Sequence, residues 1–235
     1  MKSAYRSSVT VLTLFWCIHV CAAPYPTEDQ LRVAIQEVAG MLKTEGLELE
    51  VLDAKKEGMA LPLMAAGLSL QSGVCIAFYN AEPEDGLIQF FAAVDKKELP
   101  VVLNALAVHE ASHCVEQREA YVRKHFDKVL PPDFKRDDVT VQGYLSAVKS
   151  GALETWGEAL ADIASVLYLK RAAPGRWAHL ASSIAAMRHD LAWKWPEHDT
   201  SVWLHKIISA DIGEVADQSL FETAFELRAR YRPDE

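Results

Sequence analysis

Apolar residues recur along this chain with two periods, and the change from one to the other divides it. Thr27-Glu28-Asp29-Gln30 has the form of a capping box, and Leu31, Ile35, Val38 and Leu42 follow at helical spacing. A first helix is therefore predicted to about Thr44, with Gly46 ending it. Leu47 to Leu52 then alternates apolar and acidic residues as a strand does, while Pro62, Gly67 and Gly73 break residues 53–73 too often for one long helix. Val74 to Tyr79 and Leu87 to Val94 read as two strands joined by a turn from Asn80 to Gly86 that contains Pro83. Leu99 to Leu103 and Leu106 to Val108 are apolar almost throughout and predict a buried helix. Pro131 to Asp138 is a charged loop, and beyond Val139 helices are predicted at 140–150, 153–171, 176–193, 200–210 and 214–230. Pro174-Gly175 and Trp195-Pro196-Glu197 supply the breaks. The expected class is α+β, a small N-terminal sheet against a buried helix with a mostly helical second half.

That buried helix carries His109-Glu110-Ala111-Ser112-His113. Residues four apart share a helix face with Cβ atoms about 6 Å apart, so both imidazoles can grip one metal ion from the same side. Glu110 then lies beside the ion, where a general base toward a metal-activated water belongs. Two solvated surface histidines are the plain alternative, but the apolar approach argues for burial, and buried imidazoles need partners.

A hydrolytic zinc keeps three protein ligands and one open position, so a further donor is required. The metzincin pattern would place glycine at 116 and histidine at 119, and both are glutamate here, which excludes that class. Glu158 and Asp162 lie four residues apart in a helical stretch and suit two roles, Glu158 as third ligand and Asp162 as acceptor orienting a ligating imidazole. Glu154 as the ligand with Glu158 behind it, or a solvated acidic stripe of all three, fits the same spacing. Against the stripe, Asp162 is embedded in the apolar run Leu160 to Leu167, where an unpaired carboxylate is costly.

His109-Glu110-x-x-His113 with Glu158-x-x-Ala161-Asp162 resembles the gluzincin zinc metallopeptidases, and is most similar to the branch of the CAAX prenyl protease and its soluble periplasmic relatives. The resemblance covers about residues 70 to 165. It implies a zincin-like fold, a Zn2+ cofactor, a protein or peptide substrate, and a sheet strand beside the metal helix whose free edge holds extended substrate; one of the two strands at 74–79 and 87–94 is the candidate. The prenyl protease is a polytopic membrane protein and this chain offers no such spans, so its substrate class does not carry over. An oxyanion-stabilising donor is expected downstream of Glu158, and His198 resembles the histidine preceding the late helix in that branch, although Asp199 stands where proline usually follows. His205 and Tyr168 come next, with His179 and His189 as surface histidines. A catalytically inactive metallopeptidase-like binding or assembly protein could retain the same ligands.

Composition bounds the setting. Met1 to about Ala22 has the form of a secretory signal, with Lys2 and Arg6 ahead of the apolar Val9 to Val20, a core too short for a comfortable span. Its removal takes away two basic residues and no acids, moving the net charge from -9 to -11. With no basic patch, nucleic acid and anionic membranes are poor partners. Residues 23–235 have apolar content enough for one domain, expected in the periplasm or outside the cell with no stable membrane span after cleavage. Cys75 and Cys114 then remain, and an oxidising compartment favours their disulfide over two free thiols or Cys114 as a ligand.

Overall fold

The computed structural model describes residues 25–134, 139–210, 212 and 219–233. The expected leader at 1–22 lies outside them, as do 135–138 at the end of the charged loop and 214–218 at the start of the last predicted helix. The capping box forms: Thr27 Oγ1 accepts from Gln30 N–H at 3.3 Å and Gln30 Oε1 accepts from Thr27 N–H at 3.0 Å. The helix it starts is α1 (Glu28–Glu37), and after a break at Val38 a second, α2 (Ala39–Thr44), runs to Gly46 at φ +76°.

Three strands make one sheet in the order β1 (Leu49–Asp53), β3 (Cys75–Tyr79), β2 (Met64–Leu68). β1 runs parallel to β3 with Leu49 opposite Cys75, and β2 runs antiparallel with Met64 opposite Tyr79. Two expectations are corrected here. Leu87 to Val94 is no strand but falls on α3 (Asp85–Ala93) and its C-cap Val94, and the buried Leu87, Phe90 and Phe91 fall at i, i+3 and i+4 and make one helical face. The third strand comes instead from the unassigned stretch 53–73. β3 is consequently central and paired on both sides, so the edge nearest the histidines belongs to β2 rather than to either candidate strand.

α4 (Leu99–Arg118) packs on β2 with one side and on α7 (Glu154–Ala172) with another, which is why apolar residues surround it almost completely. Pro100 sits in its first turn, where a missing N–H costs nothing. A π-helical turn, Glu119–Arg123, continues it and ends on Lys124 at φ +58°. Cys75 and Cys114 are both buried and bonded, with Cα atoms 5.6 Å apart, so the central strand is tied to α4 one residue beyond His113.

The second half is helical, as the pattern predicts: short α5 (Phe126–Val129), then α6 (Val141–Lys149), α7, α8 (Trp177–Asp190), α9 (Ser201–Ser209) and α10 (Leu220–Arg230). A 3-10 turn at Pro196–His198 precedes α9, while α8 and α10 pack on α7 and close the core. Among the described residues no helix is long and apolar enough to cross a membrane.

Candidate metal centre

The spacing on α4 brings His109 and His113 side by side with ring centroids 5.1 Å apart. One ligand atom each from His109, Glu110 and His113 fall within 4.8 Å of one another, a grouping able to hold a metal ion. α7 crosses this face and supplies Glu158, whose Oε2 lies 3.3 Å from His109 Nε2 and whose Oε1 lies 3.4 Å from His113 Nε2. Two donors at about 2.05 Å on a tetrahedral ion stand about 3.3 Å apart, so these separations match such an edge. Glu154, the alternative ligand, is half-exposed and lies against His198 Nε2 at 3.3 Å instead.

One turn further along α7, Asp162 is buried and its Oδ1 lies 2.7 Å from His109 Nδ1. That bond leaves Nε2 as the nitrogen facing Glu158, and Thr200 Oγ1 donates to the other oxygen of Asp162. Arg188 completes the cluster from α8: Nη2 donates to Asp162 Oδ1 at 2.8 Å and lies 3.2 Å from Glu158 Oε2 and 3.1 Å from His109 Nε2. Its Nε lies 2.8 Å from Asp162 Oδ2. His198 reaches in from the 3-10 turn, Nδ1 3.3 Å from Glu158 Oε2.

These charges set one another's protonation. Burial opposes a charged His109, but the carboxylates of Asp162 and Glu158 outweigh it and raise the imidazole to about 10. His113 is raised in the same way, with burial overcome by Glu158. Burial raises the Glu110 carboxyl, offset in part by the two histidines, leaving a more basic carboxylate than usual. Asp162 is lowered to about 2, its desolvation overcome by Arg188 and His109.

The donor set suits a divalent ion, since two imidazole nitrogens and a carboxylate are the ligands such ions select. A second observation agrees. Glu158 Oε2 is buried yet receives no well-aligned hydrogen bond from any described residue, although three nitrogens surround it. A buried acceptor left unbonded is costly, and a cation between it and the imidazoles would satisfy it.

Two cavities meet at this cluster. The first, about 360 Å³, is walled by Leu63, Leu87, Leu106, Met187, Leu191 and Trp195, with Glu110, His109 and Arg188 on its floor. The second, about 320 Å³, lies on the far side of His113 and Glu158 and is lined by Glu116, Gln117, Tyr121, Tyr144 and Glu154. Of the other candidates, His179 and His205 are exposed, His189 pairs with Asp199 at 3.4 Å, and the Tyr168 hydroxyl accepts from Asn104 at 3.1 Å. None of the four lines either cavity.

Arg188 and Thr200 are the members that reading the sequence missed. For Arg188 a signal exists: it extends the buried stripe Ala181, Ile184, Ala185 at i, i+3, i+4 and i+7, where an arginine calls for a buried anion. Compared with protein-family models, with curated proteins and with solved structures, the chain matches none.

Proposed function

We propose that the chain is a zinc-dependent peptide hydrolase with a zincin-like arrangement, acting in the periplasm or outside the cell. The observation that carries the reading is the junction itself: two imidazoles, an under-bonded carboxylate and the half-buried Glu110 converge at the apolar cavity, with His113 and Glu158 also on the wall of the second. His109, His113 and Glu158 would hold the ion. When bound, it supplies Lewis acidity and lowers the pKa of a water to about 7. Glu110 would be the general base that accepts a proton from the attacking water and passes it to the leaving amine. Asp162 keeps His109 in one tautomer, and Arg188, anchored on Asp162, keeps Asp162 ionised and carries a positive charge at the cavity floor. His198, which lines the same cavity, would be the donor for the developing oxyanion.

The β2 edge supports a peptide as substrate. Leu68 N–H points away from β3 and donates to Gln117 Oε1 at 2.7 Å, so by alternation Met64 and Ala66 present their backbone groups on the same open side. Backbone pairing there would bind an extended chain with little regard to its sequence. The leader form at 1–22 and the Cys75–Cys114 bond support an oxidising compartment.

A second reading has its own observation. Arg188 Nη2 within 3.1–3.2 Å of His109 and Glu158 already offsets the cluster's negative charge, which favours a metallopeptidase-like binding or assembly protein without turnover. Hydrolysis of an unfolded protein separates the two. The wild type should be active and chelator-sensitive, with turnover reduced about 10²–10⁴-fold in Glu110→Gln. His198→Ala should lose about 10²-fold with its metal retained. Equal hydrolysis by wild type and Glu110→Gln would remove the proposal.

A further inference from the structure

The two cavities flanking the cluster differ in chemistry, and the difference has a direction. Leu63 to Ala66, the first half of β2 and the residue before it, border the apolar cavity. The strand then ends at Leu68, held by Gln117 on the wall of the second cavity. A peptide pairing antiparallel to β2, the more stable arrangement for a short added strand, therefore runs from the second cavity toward the apolar one. Residues on the amino-terminal side of the scissile bond meet the second cavity.

That cavity is built for a cation. Its walls carry the carboxylates of Glu116, Glu154 and Glu158 and the rings of Tyr121 and Tyr144, which meet edge to face at 5.4 Å. Glu116 Oε1 is bound by Arg228 at 2.6 Å, while Oε2 lies 3.1 Å from where a Cβ on Gly157 would stand. Glycine at 157 thus leaves that second oxygen its room at the wall. Glu154 is half-exposed and lies against His198. Tyr144 is only 4% exposed, lines the cavity, and its hydroxyl has no hydrogen-bond partner among the described residues. Acidic residues alone would be a solvated patch, but a nearly buried phenol with no protein partner among the described residues leaves its hydroxyl for a polar group entering the cavity. A guanidinium or ammonium group uses all three features: carboxylate pairing, a phenolic acceptor and aromatic ring faces.

We propose that the second cavity is the subsite for a lysine or arginine side chain on the amino-terminal side of the scissile bond, opposite the apolar subsite on its carboxyl-terminal side. The inference rests on the peptide-hydrolase reading, and its test separates the two. Fluorescent peptides of one length carrying Arg–Leu, citrulline–Leu, Glu–Leu or Leu–Arg at the centre are bound to zinc-loaded Glu110→Gln protein and, in parallel, offered to wild type for cleavage. Citrulline keeps the shape of arginine and removes its charge. Arg–Leu should bind roughly tenfold or more tighter than citrulline–Leu or Leu–Arg, the scale of one hydrogen-bonded charge. Adding Glu154→Gln, and separately Tyr144→Phe, should shrink the arginine-to-citrulline ratio severalfold while citrulline–Leu binding holds. The binding order kept without any cleavage by wild type would sustain the subsite and refute the hydrolase. Cleavage with no preference for arginine over citrulline, preference for Leu–Arg, or binding of no peptide would overturn the subsite.

Discussion

Two buried ionic clusters meet α4 and its continuation fewer than two helical turns apart, one at His113 beside Glu158 of α7 and one around Glu119. At Glu119, which is 0% exposed, both oxygens are saturated: Oε1 accepts from Arg118 at 2.6 Å and Arg123 at 2.8 Å, and Oε2 pairs with His125 Nδ1 at 2.8 Å. Arg118 reaches on to Glu45 at 3.0 Å, and Ser219 donates to the same carboxylate. This cluster thereby ties the end of α2 to α4 and the start of α10, and none of these residues lines either cavity at the histidines. Glu158 is buried nearly as well, yet one of its oxygens lacks an aligned donor and its side chain borders both cavities. Burial and charge are common to both, and so are under-bonded atoms, since Arg118 leaves Nε and Nη1 without partners among the described residues but away from either cavity. What separates a site from a staple is an ionised group left under-bonded where a ligand can reach it.

The comparison breaks most sharply at the metal. Glu158→Ala should lower zinc affinity by more than the roughly 10–100-fold expected of a group outside the coordination sphere, whereas Glu119→Gln and Glu154→Ala should leave it nearly unchanged. Competition against a chromophoric chelator reads all three. Metal loss in Glu154→Ala alone would place the ligand one turn earlier.

Stability should respond in the opposite pattern. Glu119→Gln leaves Arg118 and Arg123 without their shared carboxylate and should cost about 3–5 kcal/mol in denaturant unfolding, the range for breaking a buried pair. Burial pushes the Glu119 carboxyl up, but His125 and Arg118 outweigh it and hold the group below its ordinary value. A carboxyl lowered by folding contributes stability above its unfolded pKa of about 4.3 and loses it as pH falls through the lower folded value. Wild type should therefore lose stability below about pH 4 more steeply than Glu119→Gln does. Parallel acid slopes would mean that Glu119 carries no such linkage.

The smallest effect sharpens the metal side. Asp162→Asn keeps the shape but weakens the hold on His109 Nδ1, and zinc affinity should fall by about 10–100-fold. A loss as large as that of Glu158→Ala would make Asp162 a ligand rather than a support.

Much of this was legible because the signals are local. The i, i+4 histidines, the capping box at Thr27 and the breaks at Pro174-Gly175 and Pro196 act within a few residues, and the helices of the second half follow from them. Leu87 to Val94 misled because two adjacent phenylalanines imitate a β run, although its buried positions keep helical spacing. Met64-Ala65-Ala66-Gly67-Leu68 has little strand propensity of its own and becomes β2 only by pairing with β3 and packing on α4. Cys75 and Cys114 were pairable from their number and the expected compartment, but that the strand they join is the central one depends on β2 and was beyond reach. Arg188 lies 26 residues from Asp162 in sequence, and only the packing of α8 on α7 brings them together.

Zinc titrated into metal-free protein, with hydrolysis of an unfolded substrate followed at each addition, tests the central claim most directly. The account predicts activity that rises from none to a maximum at one bound equivalent, and a Glu110→Gln protein that binds the same equivalent with at least about 10²-fold less turnover. Hydrolysis by the metal-free protein, or a wild type that binds no zinc, would contradict it.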